Sequence, residues 1–239
     1  MVKILFLGNN TGYSNQVKTA LIKAGYKLSI SILDRTAELI VSAAYGRKLP
    51  PDGLNLHPSL LPAYRGATPV PHQILDGAKQ SGITIIKMTG EFDAGPIVAQ
   101  EAVPVLPDDT DLDLLNRCFT AGSRLLIKIL PDYLNNKITQ KIQDETQATY
   151  TRKFTKANGF ISWEEFKAGA PDRKIRALFP WPGVWTTMPA SPSSPRVEAG
   201  QGGPNGKTLK LLPKNLLQLE GKQPITFRQF LAGYRHLLQ

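Results

Sequence analysis

The chain has 239 residues, of which 41% are hydrophobic and 20% charged, ordinary globular usage that excludes wholesale disorder and fibrous repeats. No apolar run reaches the roughly eighteen residues that a membrane span needs. The opening Met1–Gly8 is too brief for a signal sequence, and both points lead to the expectation of a cytoplasmic protein. One cysteine, Cys118, excludes an intrachain disulfide framework and a cysteine-rich zinc site. Lysine and arginine number 29 against 19 acids, and the excess is local: residues 1–150 carry 15 basic and 14 acidic side chains (+1), residues 151–239 carry 14 and 5 (+9). A near-neutral body with a basic appendage suits a protein that grips a polyanion with one part and works with another.

Lys3 to Leu7 reads as a buried strand, followed by the turn-rich Gly8-Asn9-Asn10-Thr11-Gly12. Ser14 or Asn15 caps a helix running to about Ala24, which Gly25 ends. Strand, glycine loop and helix open a parallel α/β sheet. Lys27–Leu33 and Leu39–Ala44 read as further strands, but only Asp34–Glu38 separates them, too few residues for a helical crossover. Either one of the two is not a strand or the usual connecting unit has been lost. Thr68–Leu75 is predicted helical with Pro69 in its first turn, Ile83–Met88 a β-branched strand, and Ile97–Val105 extended. Asp108-Asp109-Thr110-Asp111 announces a helix over Leu112–Leu134. The polar stretch 140–159 is predicted to link a first domain, 1–139, to a basic second domain, 160–239. In the latter, Trp163–Ala168 and Asp172–Leu178 read as helical turns. Val184–Met188, Thr208–Leu212 and Leu216–Leu219 read as short strands, and Pro189–Gly206 as a loop rich in proline, serine and glycine.

The chemistry-bearing residues cluster early. Asn55 and His57 lie two apart, so on an extended segment their side chains share a face. An amide and an imidazole converging on one point can donate hydrogen bonds to a developing oxyanion. Pro58 and Pro62 stiffen the turn that follows. Asp93 stands in Phe92-Asp93-Ala94-Gly95-Pro96, after the strand Ile83–Met88. Open parallel sheets place their sites at the carboxyl ends of strands, so that carboxylate is expected beside His57, where it would orient the ring. Taken singly, each reads as well as a packed histidine or a turn aspartate.

Together, Asn55-Leu56-His57-Pro58-Ser59-Leu60-Leu61-Pro62-Ala63-Tyr64-Arg65-Gly66, then Gly82–Met88 and Asp93-Ala94-Gly95, resemble the core of the folate-dependent formyltransferases. That resemblance implies a shortened Rossmann-like α/β sheet followed by a small β-rich, OB-like C-terminal domain. It implies a catalytic trio of Asn55, His57 and Asp93, and 10-formyltetrahydrofolate as co-substrate with no metal. The folate would be held by Arg47, Lys48 and Leu49, by Ser59, Leu60, Leu61 and Pro62, and by Met88, Thr89 and Gly90. Ala148-Thr149-Tyr150, Lys153, Ile161-Ser162-Trp163, Leu178–Thr186 and Leu217–Pro224 resemble the tRNA-formylating branch of the family. That branch implies a charged initiator tRNA as partner. A monomer is expected, with Arg65 and the basic cluster of Arg173, Lys174 and Arg176, just before the tryptophan segment, touching the substrate. The sequence also departs from the family: a helix–strand–helix portion is missing around Asp34–Glu38, and the C-terminal domain is short. Two alternatives follow. One is transfer to an amino sugar nucleotide or glycinamide ribonucleotide, the latter suggested by Gly8–Asn15, which resembles that enzyme's phosphate loop; the other is an inactive RNA-binding relic.

Overall fold

The computed structural model describes residues 2–47, 53–189 and 207–238. The chain divides into two compact units, Met1–Lys153 and Phe154–Gln239. The first is an α/β unit whose elements run β1 (Lys3–Gly8), α1 (Gly12–Lys23), β2 (Lys27–Ser29), β3 (Leu39–Ala43), β4 (Gly53–His57), β5 (Arg65–Gly66), α2 (Pro69–Leu75), β6 (Gln80–Lys87), β7 (Ile97–Pro104), α3 (Asp111–Leu134) and β8 (Tyr150–Thr151). Six of these strands form a sheet in the order β2-β1-β3-β4-β6-β7. β1 pairs in parallel with β2 and β3, and β3 with β4, whereas β6 lies antiparallel to both β4 and β7.

The short link between the second and third strands is real. Both segments are strands, and they flank β1 from opposite sides. Nine residues, 30–38, carry the chain from one side of β1 to the other, because β2 stops at Ser29 rather than continuing to Leu33. Lys3, at the start of β1, anchors the link. Its ammonium lies 2.7 Å from Asp34 Oδ2 and donates to Thr36 Oγ1 at 2.7 Å, and its carbonyl accepts from the Glu38 amide at 2.8 Å. The Lys3 ammonium and the Thr36 donors hold the Asp34 carboxyl well below the usual carboxylate range. With no helix in the link, Ile30, Ile32 and Leu33 remain exposed at 68%, 56% and 80%.

Thr11, rather than Ser14, caps α1, its hydroxyl accepting from the Ser14 amide. Ser14 is instead buried and donates to the Ala43 carbonyl at 3.0 Å, tying the helix to the end of β3. Helix α3 opens with a capping box in which Thr110 and Asp113 exchange hydrogen bonds. It buries Leu114, Phe119 and Leu126 fully, and Gly122 brings it close to the sheet. A Cβ at Gly122 would stand 2.7 Å from Ile83 Cγ1 and 3.2 Å from Leu56 Cδ2.

The stretch expected as a linker is pinned to the first unit as far as Lys153. Lys141 and Ile97 exchange two backbone hydrogen bonds of 2.8 Å, and β8 pairs in parallel with β5. Most of its side chains are nonetheless exposed; the polar side chain buried within it is that of Gln143, at 5%.

The second unit contains α4 (Trp163–Lys167), α5 (Asp172–Ala177), β9 (Val184–Thr187), β10 (Thr208–Leu212), β11 (Leu216–Leu219), β12 (Ile225–Thr226) and α6 (Phe227–Tyr234). Its sheet is antiparallel in the order β12-β11-β10-β9. Ile161, Phe166, Leu178, Val184, Leu209, Leu211 and Phe230 form its core. Phe230 on α6 meets Phe166 edge-on at 6.1 Å between ring centroids. Apart from Pro189, the expected loop Pro189–Gly206 lies outside the described residues.

The close approach at Gly122 yields a stability prediction. Gly122→Leu is expected to cost about 2 kcal/mol or more, because a filled core yields only by straining its neighbours. Gly12→Ala, where an added Cβ meets nothing within 4 Å, is expected to leave urea unfolding nearly unchanged.

Candidate active site

β4 is central in the sheet, between β3 and β6. Leu54 and Leu56 alternate into the core at 0% and 1% exposure, so Asn55 and His57 share the other face. Both line a cavity of about 760 Å3 built wholly from the first unit. Asp93 lines the same cavity, but not for the reason that strand polarity suggests. β6 is antiparallel, so its carboxyl end, Lys87, lies opposite Leu54 and away from the His57 end of β4. The loop after it folds back instead, with the Met88 amide on the Gly53 carbonyl at 2.7 Å and Asp93 in the left-handed region at φ +54.

The Asp93 carboxylate accepts from Asn55 Nδ2 at 3.3 Å and from the Gly66 amide at 2.9 Å, and its Oδ2 lies 3.4 Å from His57 Nδ1. His57 is 4% exposed. Its Nε2 lies 2.9 Å from the Tyr64 carbonyl, which can only accept, so Nε2 carries a hydrogen. Nδ1 is therefore the nitrogen that can gain or lose a proton, and it faces Asp93. Tyr64 is held by donating its amide to Thr149 Oγ1 at 2.8 Å and its hydroxyl to Asp76 at 3.0 Å. Burial and Asp76 push its phenol up to about 12. Asn55 spends one amide hydrogen on Asp93 and retains a second donor. The arrangement holds a neutral donor and a proton-exchanging pair at one wall of a cavity, the equipment for stabilising an oxyanion and moving one proton.

The other expected site residues divide. Arg47, Met88, Thr89 and Gly90 line the cavity. Lys48 and Leu49 lie outside the described residues. Ser59, Leu60, Leu61 and Pro62 do not line the cavity. That turn is bound from behind: Thr84 Oγ1 donates to the Ser59 carbonyl at 2.6 Å and accepts from the Leu61 amide, and Gln100 donates to the Leu61 carbonyl. Arg65, expected on the substrate, is 2% exposed and its guanidinium is spent on Gln143 and Glu145. A buried guanidinium needs such partners, and here they come from the strap after α3. In the second unit Arg176 pairs with Asp172 at 2.7 Å and Lys174 donates to the Phe160 carbonyl at 3.0 Å. Arg173 on the same helix is exposed.

Sequence reading missed one wall of the cavity. Tyr13 stacks on Phe119 at 5.3 Å, and Asp111, Leu115 and Phe119 line the cavity from one face of α3. Their spacing of four was visible as a helical stripe, yet a stripe does not tell a core face from a cavity face. Asp111 has one oxygen buried without a hydrogen-bond partner, and burial pushes its carboxyl up to about 7.

This fold and site define the class. The family described as Formyl transferase matches residues 22–130. Methionyl-tRNA formyltransferase of Dehalococcoides mccartyi is 35% identical over 224 residues, covering 83% of this chain and 71% of the relative. The enzyme of that name from Natranaerobius thermophilus is 33% identical over 231 residues, covering 84% and 73%. The chain belongs to the methionyl-tRNA formyltransferase family. It spans about seven tenths of these two relatives and 55% of the enzyme from another D. mccartyi strain. Solved structures share the fold at lower identity. HypX from Aquifex aeolicus in complex with tetrahydrofolic acid superposes with a TM-score of 0.70 at 16% identity, covering 97% of this chain and 47% of that one. A sugar N-formyltransferase from Shewanella gives 0.60 at 22%, covering 84% and 99%.

Asp111 gives a pH prediction. Its folded value lies above the ordinary carboxylate value, so the folded state holds a proton that the unfolded chain releases. Stability from this group is full in acid and falls as pH rises from about 4 through about 7. Asp111→Asn is expected to raise urea-unfolding stability by roughly 2 kcal/mol at pH 8.5 and by much less at pH 5.

Proposed function

We propose that the chain transfers a formyl group from 10-formyltetrahydrofolate to the α-amino group of methionyl-tRNA. The observation that carries this reading is the convergence of Asn55, His57 and Asp93 on one cavity wall. Relatives named methionyl-tRNA formyltransferase support the acceptor, as does the net charge of +9 beyond residue 150. Initiator over elongator tRNA, a monomer and a cytoplasmic setting belong to the same proposal. So do folate contacts from Arg47, Met88, Thr89 and Gly90, and tRNA contact by Arg173.

The amine attacks the formyl carbon, and the carbonyl oxygen becomes an oxyanion. Asn55 donates its remaining amide hydrogen to that oxygen. The amine nitrogen, now cationic, must lose a proton, and N10 of the departing tetrahydrofolate must gain one. His57 Nδ1, held against Asp93, relays that proton while Tyr64 keeps the ring in place. The carbon–N10 bond then breaks, leaving a formamide and tetrahydrofolate.

His57→Ala is expected to lower kcat for formylation of charged initiator tRNA about a hundredfold or more, with KM for the folate little changed. In the same assay KM for the tRNA is expected to rise steeply with salt, since each phosphate contact releases counterions. Turnover of amino sugar nucleotides or glycinamide ribonucleotide in preference to tRNA would contradict the acceptor. Salt-sensitive tRNA binding without formyl transfer would contradict the enzyme.

A further inference from the structure

Asp93 is aimed by a clamp that the reaction itself does not touch. The Gln143 carboxamide is buried between the Asp93 loop and Arg65. Its Nε2 donates both hydrogens across the loop, to the Asp93 carbonyl at 2.8 Å and the Gly95 carbonyl at 2.7 Å. Its oxygen accepts two hydrogen bonds from Arg65, from Nε at 3.1 Å and from a terminal nitrogen at 2.8 Å. The amide is saturated and can point only one way, since a flip would set its oxygen against two carbonyls and its NH2 against a guanidinium.

Arg65 is fixed in turn. Its two terminal nitrogens bind the two Glu145 oxygens at 2.8 Å each, a bidentate pair, and the guanidinium holds the Glu145 carboxyl below the usual range. The residue after Arg65, Gly66, donates its amide to Asp93 Oδ2. The backbone of this segment thus reaches the aspartate directly, and its side chain reaches the Asp93 loop through Gln143. The loop also needs glycine at 95, where a Cβ would run into the Lys87 carbonyl oxygen.

We propose that Gln143 is a positioning residue for formyl transfer: it staples the Asp93–Gly95 loop so that the carboxylate lies against His57 and Gly66, and buried Arg65 sets the direction of the staple. The proposal rests on the reading of Asp93 as the proton-relay partner of His57. An aspartate held at φ +54 by two carbonyl contacts loses its aim when they go.

Gln143→Glu is the test, because it keeps size and the Arg65 partner but loses both donors to the loop. Two readouts are taken on the full chain. The first is the Gly66 amide by NMR and hydrogen exchange, a direct probe of where the Asp93 carboxylate lies. Its exchange is expected to quicken about tenfold while the core amides of Ile4 and Val41 keep their protection. The second is kinetic: kcat is expected to fall about tenfold to a hundredfold with both KM values little changed. Glu145→Gln, at an exposed position, is expected to move both readouts the same way by less, and it serves where Gln143→Glu fails to fold. A Gly66 amide unmoved in the variants overturns the clamp whatever happens to turnover. A displaced Gly66 amide with normal kcat overturns the relay reading of Asp93 instead.

Discussion

One carboxylate, that of Asp93, ties its loop to the strand of Asn55 and His57 and to the segment that follows it, 27 to 38 residues back in the sequence. It accepts from Asn55 on the central strand and from Gly66 after the Pro58–Tyr64 turn, and it faces His57 at the strand end. Its loop departs from an antiparallel strand that leads away from the site, so the chain must turn back on itself. That reversal depends on a left-handed aspartate and a glycine that no side chain can replace without meeting Lys87. A carboxylate holding a histidine on one side and taking donors on two others is fixed in place before any substrate arrives. Preorganised groups of that kind do the most for a charge that develops in the transition state.

The shortened link between β2 and β3 leaves this arrangement intact, for a topological reason. The cavity is bounded by the carboxyl ends of β1, β3 and β4, represented by Asn9, Ala44 and His57. The register of those three strands is set by their direct pairing, Ile4 opposite Leu39 and Val41 opposite Leu54. The nine-residue link acts at the other end of β1, through Lys3 and Asp34. Its cost appears as exposed Ile30, Ile32 and Leu33, not as a displaced site.

The central elements were legible because their signals are local. Alternation of Leu54 and Leu56 with Asn55 and His57 gives the strand and its two faces, and the Asp-Thr-Asp start of α3 is a cap signature. What was not legible depends on long-range contacts. Arg65 reads as a substrate cation until Gln143 and Glu145, roughly eighty residues on, are seen to enclose it. The same partners hold what reads as a polar linker against the first unit. Asp93 reached the expected neighbours by a route that strand polarity misjudged. Helix α6 carried a readable signal that was passed over: Thr226 and Gln229 form a capping box, and Phe227, Phe230 and Tyr234 follow at helical spacing.

The central claim is that His57 and Asp93 act as one unit. A double-mutant cycle on kcat/KM tests it most directly, comparing His57→Ala, Asp93→Asn and the pair in formylation of charged tRNA. Groups that share a proton give non-additive losses. The double variant is therefore expected to be little worse than the poorer single variant, a coupling of about 1 kcal/mol or more. Losses that multiply independently would contradict the account.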